Sequence, residues 1–454
     1  MILLTYATLG IGFTATIFTC FRLKDPFHPS VLMSLFFGIP LLFSMQRLSD
    51  LQSSEWEFQT YLLLIYAICI FIILPAVLSI KLPNNNAVKW EEISFKMRPL
   101  YLYGINLFAI ALYLAENKIT SGAVLPYLAI HDNVNVHTAS VPIVSIFTTA
   151  LPVVLVIVNY LASLQQRKKL YYLFIILLIA LPLSRLARFE VVTSLLPLAA
   201  MIFYRTKKKK RFAFWGIITM VLLIFAGSFV GQYRMTYGGK YNYISYSKSI
   251  GFTGPKGPFE VNAILYGYFP LSIENVDRFV KKNPNFHDYQ YVQYTFRPVM
   301  AGILQLDNLL HENYHMYKFV NKMRDPLNGA AIVDTALIEF SMDFGYVFSF
   351  VPMLLYALIG YTLYHRGRVG GGHKMLYYLL FAQAFLLFSF QNVFIESRAL
   401  HASIFLMALL AFAKKYPFEQ PINERSRLLV RSEFSKLATS MTFLIIGIVI
   451  MIIY

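Results

Sequence analysis

Residues 170–204 read LYYLFIILLIALPLSRLARFEVVTSLLPLAAMIFY: two apolar runs, 170–183 and 189–204, broken by Ser184-Arg185-Leu186-Ala187-Arg188. Apart from Glu190, neither run holds a Lys, Arg, Asp or Glu. Further apolar runs lie near 2–21, 31–46, 61–80, 100–115, 142–163, 212–231, 337–363, 375–390, 399–413 and 438–453. Many approach the roughly 20 residues that carry a helix across a bilayer. The whole chain of 454 residues is 57% hydrophobic and 14% charged, with a mean hydropathy of +0.56. A soluble globular domain averages about 25% charged residues, so an ordinary soluble fold is excluded. The expectation is an all-α, polytopic membrane protein of about twelve transmembrane helices with one large outer-face loop domain. Residues 1–231 would hold helices one to eight, 232–336 the loop with short surface helices, and 337–454 helices nine to twelve. The first run lacks a basic leader and is followed by Arg22, so it reads as a retained span and not a cleaved signal.

Charge orients the spans. If loops alternate sides, one set (22–30, 81–99, 164–169, 205–211, 364–374 and 414–437) holds 24 of the 40 Lys and Arg residues. Most of the remainder falls in 232–336, where length weakens the charge rule. The first set is therefore cytoplasmic, both termini lie outside, and the run from Arg205 to Arg211 is a topology anchor beside anionic lipid. No DNA-binding motif accompanies it, so the net charge of +17 implies no nucleic-acid partner. Cys20 and Cys69 sit within apolar runs and read as packing residues.

The informative residues are charges where a bilayer disfavours them. Arg185 and Arg188 are three apart in a short outer turn, at a membrane boundary where a cation needs an anionic partner. Glu190 could supply one, the side chains could snorkel, or the guanidinium forks could hold a phosphate-bearing ligand of the outer leaflet. Glu396, Arg398 and His401 repeat the pattern in the next short outer turn, where an internal Glu396–Arg398 pair and a core imidazole are the structural alternative. Arg234 follows the eighth span and Arg297 precedes Pro298 in the large loop; each alone reads as a solvated loop arginine, and together the five arginines could form an anion cradle on one side. Glu339 and Asp343 are four apart at the start of the ninth span, one helical face, and serve either the helix macrodipole or proton transfer. His311-Glu312-Asn313-Tyr314-His315 satisfies H-E-x-x-H, but the Arg324-Asp325-Pro326 turn separates it from Glu339 as a third ligand, and no second-shell pattern accompanies it; no metal is expected. No nucleotide-binding glycine motif is present and no cofactor is expected.

With an Arg-bearing short outer turn, one large outer loop and the segment Thr335 through Phe340 to Asp343-Phe344-Gly345, the chain resembles the Wzy-type O-antigen or oligosaccharide repeat-unit polymerases. Leu265-Tyr266-Gly267-Tyr268 through Ile273-Glu274-Asn275-Val276-Asp277 is similar to that family's Tyr-rich approach within the loop. The resemblance implies a metal-independent glycosyltransferase in the bacterial cytoplasmic membrane. It would join undecaprenyl-pyrophosphate-linked oligosaccharides on the extracytoplasmic side, alongside membrane lipid and a chain-length regulator. It implies Arg188 and Arg398 for the pyrophosphate, with Arg185, Arg234 and Arg297 contributing, and His401, Glu339 or Asp343 as the base. The family's Ser-Arg arginine maps onto Arg185 or Arg188, with Arg188 preferred because the apolar helix follows it directly. A lipid-linked oligosaccharide flippase, an O-antigen ligase and a zinc peptidase are the competing readings.

Overall fold

A computed structural model of the chain describes residues 1–82, 97–126, 141, 143–166, 168–185, 188–206, 209, 216, 218, 225, 228, 246–286, 335–389 and 398–415. The described residues form helices and turns, with an isolated antiparallel bridge joining Ser49 to Phe252. Among them, four helices are long and apolar enough to cross a membrane: α1 (Ile2–Leu23), α3 (Phe58–Lys81), α4 (Pro99–Ser121) and α5 (Val144–Gln166). Two shorter apolar helices, α2 (Pro29–Ser44) and α6 (Leu170–Arg185), accompany them. Further helices are α7 (Arg188–Arg205), α8 (Val261–Tyr268), α9 (Ser272–Lys282), α10 (Ala336–Phe348), α11 (Phe350–Gly370), α12 (Gly372–Phe381) and α13 (Arg398–Lys415).

The chain divides into two compact units, one of Met1–Glu92 with Ala199–Leu400, the other of Ile93–Leu198 with His401–Tyr454. In the first, α2 and α3 each contain a π-helical stretch, Ser34–Gly38 and Ile68–Ile73, directly before a proline, Pro40 and Pro75. Proline lacks an N–H and its ring crowds the carbonyl four residues back, so widening the helix relieves the clash. The carbonyl opposite Pro40 belongs to Phe36, and the Ser389 hydroxyl donates to it at 2.7 Å. In an apolar environment such a freed carbonyl needs a partner, and the serine supplies one. Phe37, Phe71 and Phe388 pack edge to face around this point, with ring centroids 5.0 Å apart for Phe37–Phe388 and Phe71–Phe388.

The stretch read from sequence as one span from 337 to 363 is built differently. Gly345 has φ 70° and ψ −180°, a backbone conformation that L side chains rarely adopt, and the rings of Phe340 and Tyr356 lie 5.9 Å apart. Sixteen residues of straight helix would separate them by about 24 Å. The chain therefore reverses at Gly345, within α10, so that the residues before the glycine and α11 form a helical hairpin. The 375–390 run is likewise two short helices, α12 and Gln383–Leu386. Cys69 is exposed and Cys20 half-buried, so neither is the core packing residue expected from its apolar surroundings.

Residues 246–286, the described part of the large loop, have a hydrophobic core of their own. Tyr246, Ile250, Phe252, Ala263, Ile264, Tyr266 and Leu271 pack together against Leu48 and Leu51 of the α2–α3 connection. The Leu48 amide donates to the Tyr266 hydroxyl at 2.9 Å, and the Asp50 amide to the Gly251 carbonyl at 2.9 Å. From α9, the buried Glu274 accepts from the Ser53 amide and the Trp56 indole, both at 2.8 Å. The buried Asp277 accepts from the Glu57 amide at 2.7 Å and the Thr60 hydroxyl at 2.9 Å. Glu57 is the N-cap of α3 and has no side-chain capping bond of its own, so Asp277 places a negative charge at the positive end of that helix. The segment is packed against the α2–α3 connection and the start of α3, and it contains the short helices α8 and α9.

Candidate functional site

In the second unit, the ends of four helices meet around Arg185. Its Nη2 donates to Glu116 Oε2 at 2.7 Å, its Nε donates to Asn117 Oδ1, and its guanidinium carbon lies 4.3 Å from the centre of the Tyr113 ring. Glu116 and Asn117 close α4, and Arg185 closes α6 through a 3₁₀ turn, Leu181–Arg185. Asn117 also donates to the Ser184 hydroxyl at 3.0 Å and the Val124 carbonyl at 3.0 Å. Glu116 is 0% exposed and also accepts from the Thr148 hydroxyl at 2.6 Å and the Val141 amide at 3.3 Å. It therefore sits at the N-terminus of α5, where unpaired amides favour an anion. Glu190, on the first turn of α7, accepts from the Tyr113 hydroxyl at 3.4 Å.

The partner of Arg185 is thus Glu116 and not Glu190, 69 residues away in sequence instead of five. The reason is geometric. Arg185 ends a 3₁₀ turn that lies against the end of α4, and the Glu116 carboxylate is pinned there by two further donors. The pair neutralises Arg185 but does not use all of it: the side chain is 14% exposed, and Nη1 has no partner among the described residues. A guanidinium clamped on two edges and by an aromatic face, with Nη1 unpartnered among the described residues, is preorganised to accept an anionic oxygen.

The other expected site residues are distributed as follows. Arg188 is the first residue of α7 and Arg398 the first of α13; His401, buried, follows one turn on. Arg188 and His401 belong to the same unit as Arg185, whereas Arg398, Glu339 and Asp343 belong to the other. Glu339 and Asp343 share one face of α10, as their spacing predicts, with Asp343 buried and Glu339 half-buried in the hairpin. Arg234, Arg297, Glu396 and the His311–His315 motif lie outside the described residues. Among the described residues, no group of three His, Cys, Asp or Glu side chains is placed to hold a metal ion.

A second buried polar cluster, in the first unit, was not expected from the sequence. Asp25, in the connection between α1 and α2, accepts from Tyr204 at 3.0 Å, Tyr364 at 2.8 Å, Arg368 at 3.2 Å and the Phe27 amide at 3.0 Å. Arg368 also donates to Tyr364 at 2.9 Å and to the Leu23 carbonyl at 3.2 Å. Burial pushes the Asp25 carboxyl above its ordinary value, while the Tyr364 hydroxyl, the Arg368 guanidinium, the Phe27 amide and the Tyr204 hydroxyl pull it back. Beside it, His28 Nδ1 accepts from the Ser30 amide at 3.2 Å, which leaves the proton on Nε2 to donate to Ser79 at 2.7 Å. Burial, then the Arg368 and Arg22 guanidinium groups, hold His28 down to about 3, so the ring is neutral. These residues join parts that the charge bias assigns to one side, the cytoplasmic one. Asp25 follows Arg22 and Lys24, and Arg368 follows Arg366, each at the end of an apolar run, and nothing in either run signals the other.

No family model, curated protein or solved structure matches the chain.

Proposed function

We propose that the chain is a glycosyltransferase that polymerises undecaprenyl-pyrophosphate-linked oligosaccharide repeat units on the outer face of a bacterial cytoplasmic membrane. In this reading it crosses the membrane about twelve times, with 232–336 outside. The observation that carries the proposal is Arg185, a guanidinium at the end of an apolar helix, anchored by Glu116, Asn117 and Tyr113, with Nη1 unpartnered among the described residues. An enzyme that expels a lipid pyrophosphate needs fixed positive charge where the leaving group develops its own negative charge, and preorganised donors provide it without reorganisation. Arg188, three residues on at the start of α7, adds a second charge to the same turn. Arg398 supplies a third in this reading, with Arg234 and Arg297 contributing from the large loop. The acceptor sugar hydroxyl attacks the anomeric carbon of the growing glycan, the bond to the pyrophosphate oxygen breaks, and Glu339, Asp343 or His401 takes the hydroxyl proton.

The test is reconstitution of the purified protein in proteoliposomes with a lipid-linked repeat unit, in EDTA, scored for a ladder of glycan lengths. The wild type makes a ladder; Arg185→Lys, which keeps charge but loses the planar fork, and Arg188→Ala make short products or none. Full-length ladders from both variants would remove these arginines from the reaction.

A further inference from the structure

Where α3 ends against the last turns of α11, the first unit holds a cleft of about 330 Å³ lined by Leu78, Lys81, Leu82, Tyr361, Thr362, His365 and Arg366. Its polar lining is basic. Lys81, His365 and Arg366 are all exposed, and no Asp or Glu occurs from Phe58 to Leu82 or from Phe344 to Ile395. Asp25, the acid of the α1–α2 connection, is buried and paired with Arg368. Helix C-termini ordinarily repel anions, because their last carbonyls point outward. Here the guanidinium of Arg22 donates to the carbonyls of Ser79, Ile80 and Leu82, so the negative end of α3 is already neutralised.

The apolar surroundings discriminate between anions. One helical turn before Lys81 lies Val77, and one turn before Thr362 lies Leu358; both are exposed, as are Ile80 and Ile359. Residues four apart share a helix face, so a basic rim continues along both helices into exposed hydrocarbon side chains. A soluble phosphate would use the rim alone. A lipid would use both, its headgroup between Lys81 and Arg366 and its acyl chains along Val77 and Leu358. The volume sits at the low end of ligand pockets, about 300–1,000 Å³, which suits a headgroup with its tails outside. From this geometry we propose that the cleft is a binding site for the phosphodiester headgroup of an anionic phospholipid. Basic pockets between membrane helices on the cytoplasmic side are a physical basis for such recognition. The site is independent of the chemistry proposed for Arg185.

The experiment uses the purified full-length chain, with thermal unfolding in mild detergent during titration of phosphatidylglycerol, phosphatidylcholine or sodium phosphate, and native mass spectrometry for retained lipid. The expected result is stabilisation and retention with phosphatidylglycerol well above those with phosphatidylcholine or phosphate. In Lys81→Gln/Arg366→Gln the apparent phosphatidylglycerol affinity falls by about tenfold or more. The control Lys168→Gln/Lys169→Gln, which removes charge from another loop on the same side, keeps the wild-type affinity. Equal responses of the wild type to the two lipids would overturn the proposal, as would undiminished phosphatidylglycerol affinity in the double variant. A response to sodium phosphate equal to that to phosphatidylglycerol would reassign the cleft to a soluble anion. Should the double variant not fold, Lys81→Gln alone must lower the affinity at least threefold, and unchanged affinity there overturns the assignment.

Discussion

The Arg185 guanidinium and the Glu116 carboxylate form a 2.7 Å ion pair between the closing turns of two helices. Removing one member of a buried pair is far more damaging than removing both, because the remaining charge loses its compensation in a poorly solvated place. Arg185→Met should therefore destabilise the protein by about 3 kcal/mol. Adding Glu116→Gln should return much of that stability. Unfolding midpoints in detergent for the two single variants and the double variant measure the coupling; additive losses would mean that the pair is not a unit.

Asn106 and Asn159 exchange two amide hydrogen bonds, 3.0 and 2.7 Å, between α4 and α5, and each donates its second N–H to its own helix at 2.8 Å. Both are fully buried, so every amide hydrogen has a partner. Interhelical bonds of this kind contribute about 0.6–2 kcal/mol in membrane proteins. Asn159→Leu should lose about that amount, and Asn106→Leu/Asn159→Leu should lose less than twice as much. Thermal melts of these two variants and the wild type decide it, and an unaffected single variant would show the pair to be dispensable.

His28 sets a pH dependence whose sign follows from its environment. An unfolded histidine takes up a proton near pH 6.5, but the folded ring resists protonation down to about 3. Between these values the unfolded chain binds the extra proton, so stability falls as the pH is lowered, by at most about 1.4 kcal/mol per pH unit. Asp25 works in the opposite sense: its raised folded value favours the folded state at low pH, and that contribution is lost as the pH rises above 3.8 through the folded value. Comparing the wild type with His28→Gln isolates the histidine. From pH 7 to pH 5 the wild type should lose stability relative to the variant; parallel curves would mean that His28 is protonated in the fold.

Gly345, at φ 70° and ψ −180°, reverses the chain within α10, three residues before its end. A residue with a Cβ in that region costs about 1–3 kcal/mol. Gly345→Ala should therefore open the hairpin that carries Glu339 and Asp343. In a Cys20→Ser/Cys69→Ser background, a short bifunctional thiol reagent should bridge Phe340→Cys to Tyr356→Cys efficiently when Gly345 is kept, and poorly when Gly345→Ala is added. Equal yields would show that the turn tolerates the substitution.

Sequence alone determined the helical, apolar class of this protein. It also set Glu339 and Asp343 on one face, because charge deficit and residue spacing are local properties that survive any packing. Apolar runs also marked α1, α3, α4 and α5 as helices of membrane-crossing length, since a bilayer constrains length and polarity before it constrains contacts. Tertiary structure decided which charges meet. Glu116 lies far from Arg185 along the chain, and Asp25 is 343 residues from Arg368, so neither pairing has a periodicity to betray it. It also decided that Glu274 and Asp277 tie the large loop to the start of α3, and that the ninth apolar run folds back on itself at one glycine. Hydropathy records how much apolar surface a segment must hide, whereas a hydrogen bond or a reversal depends on where another segment's atoms stand.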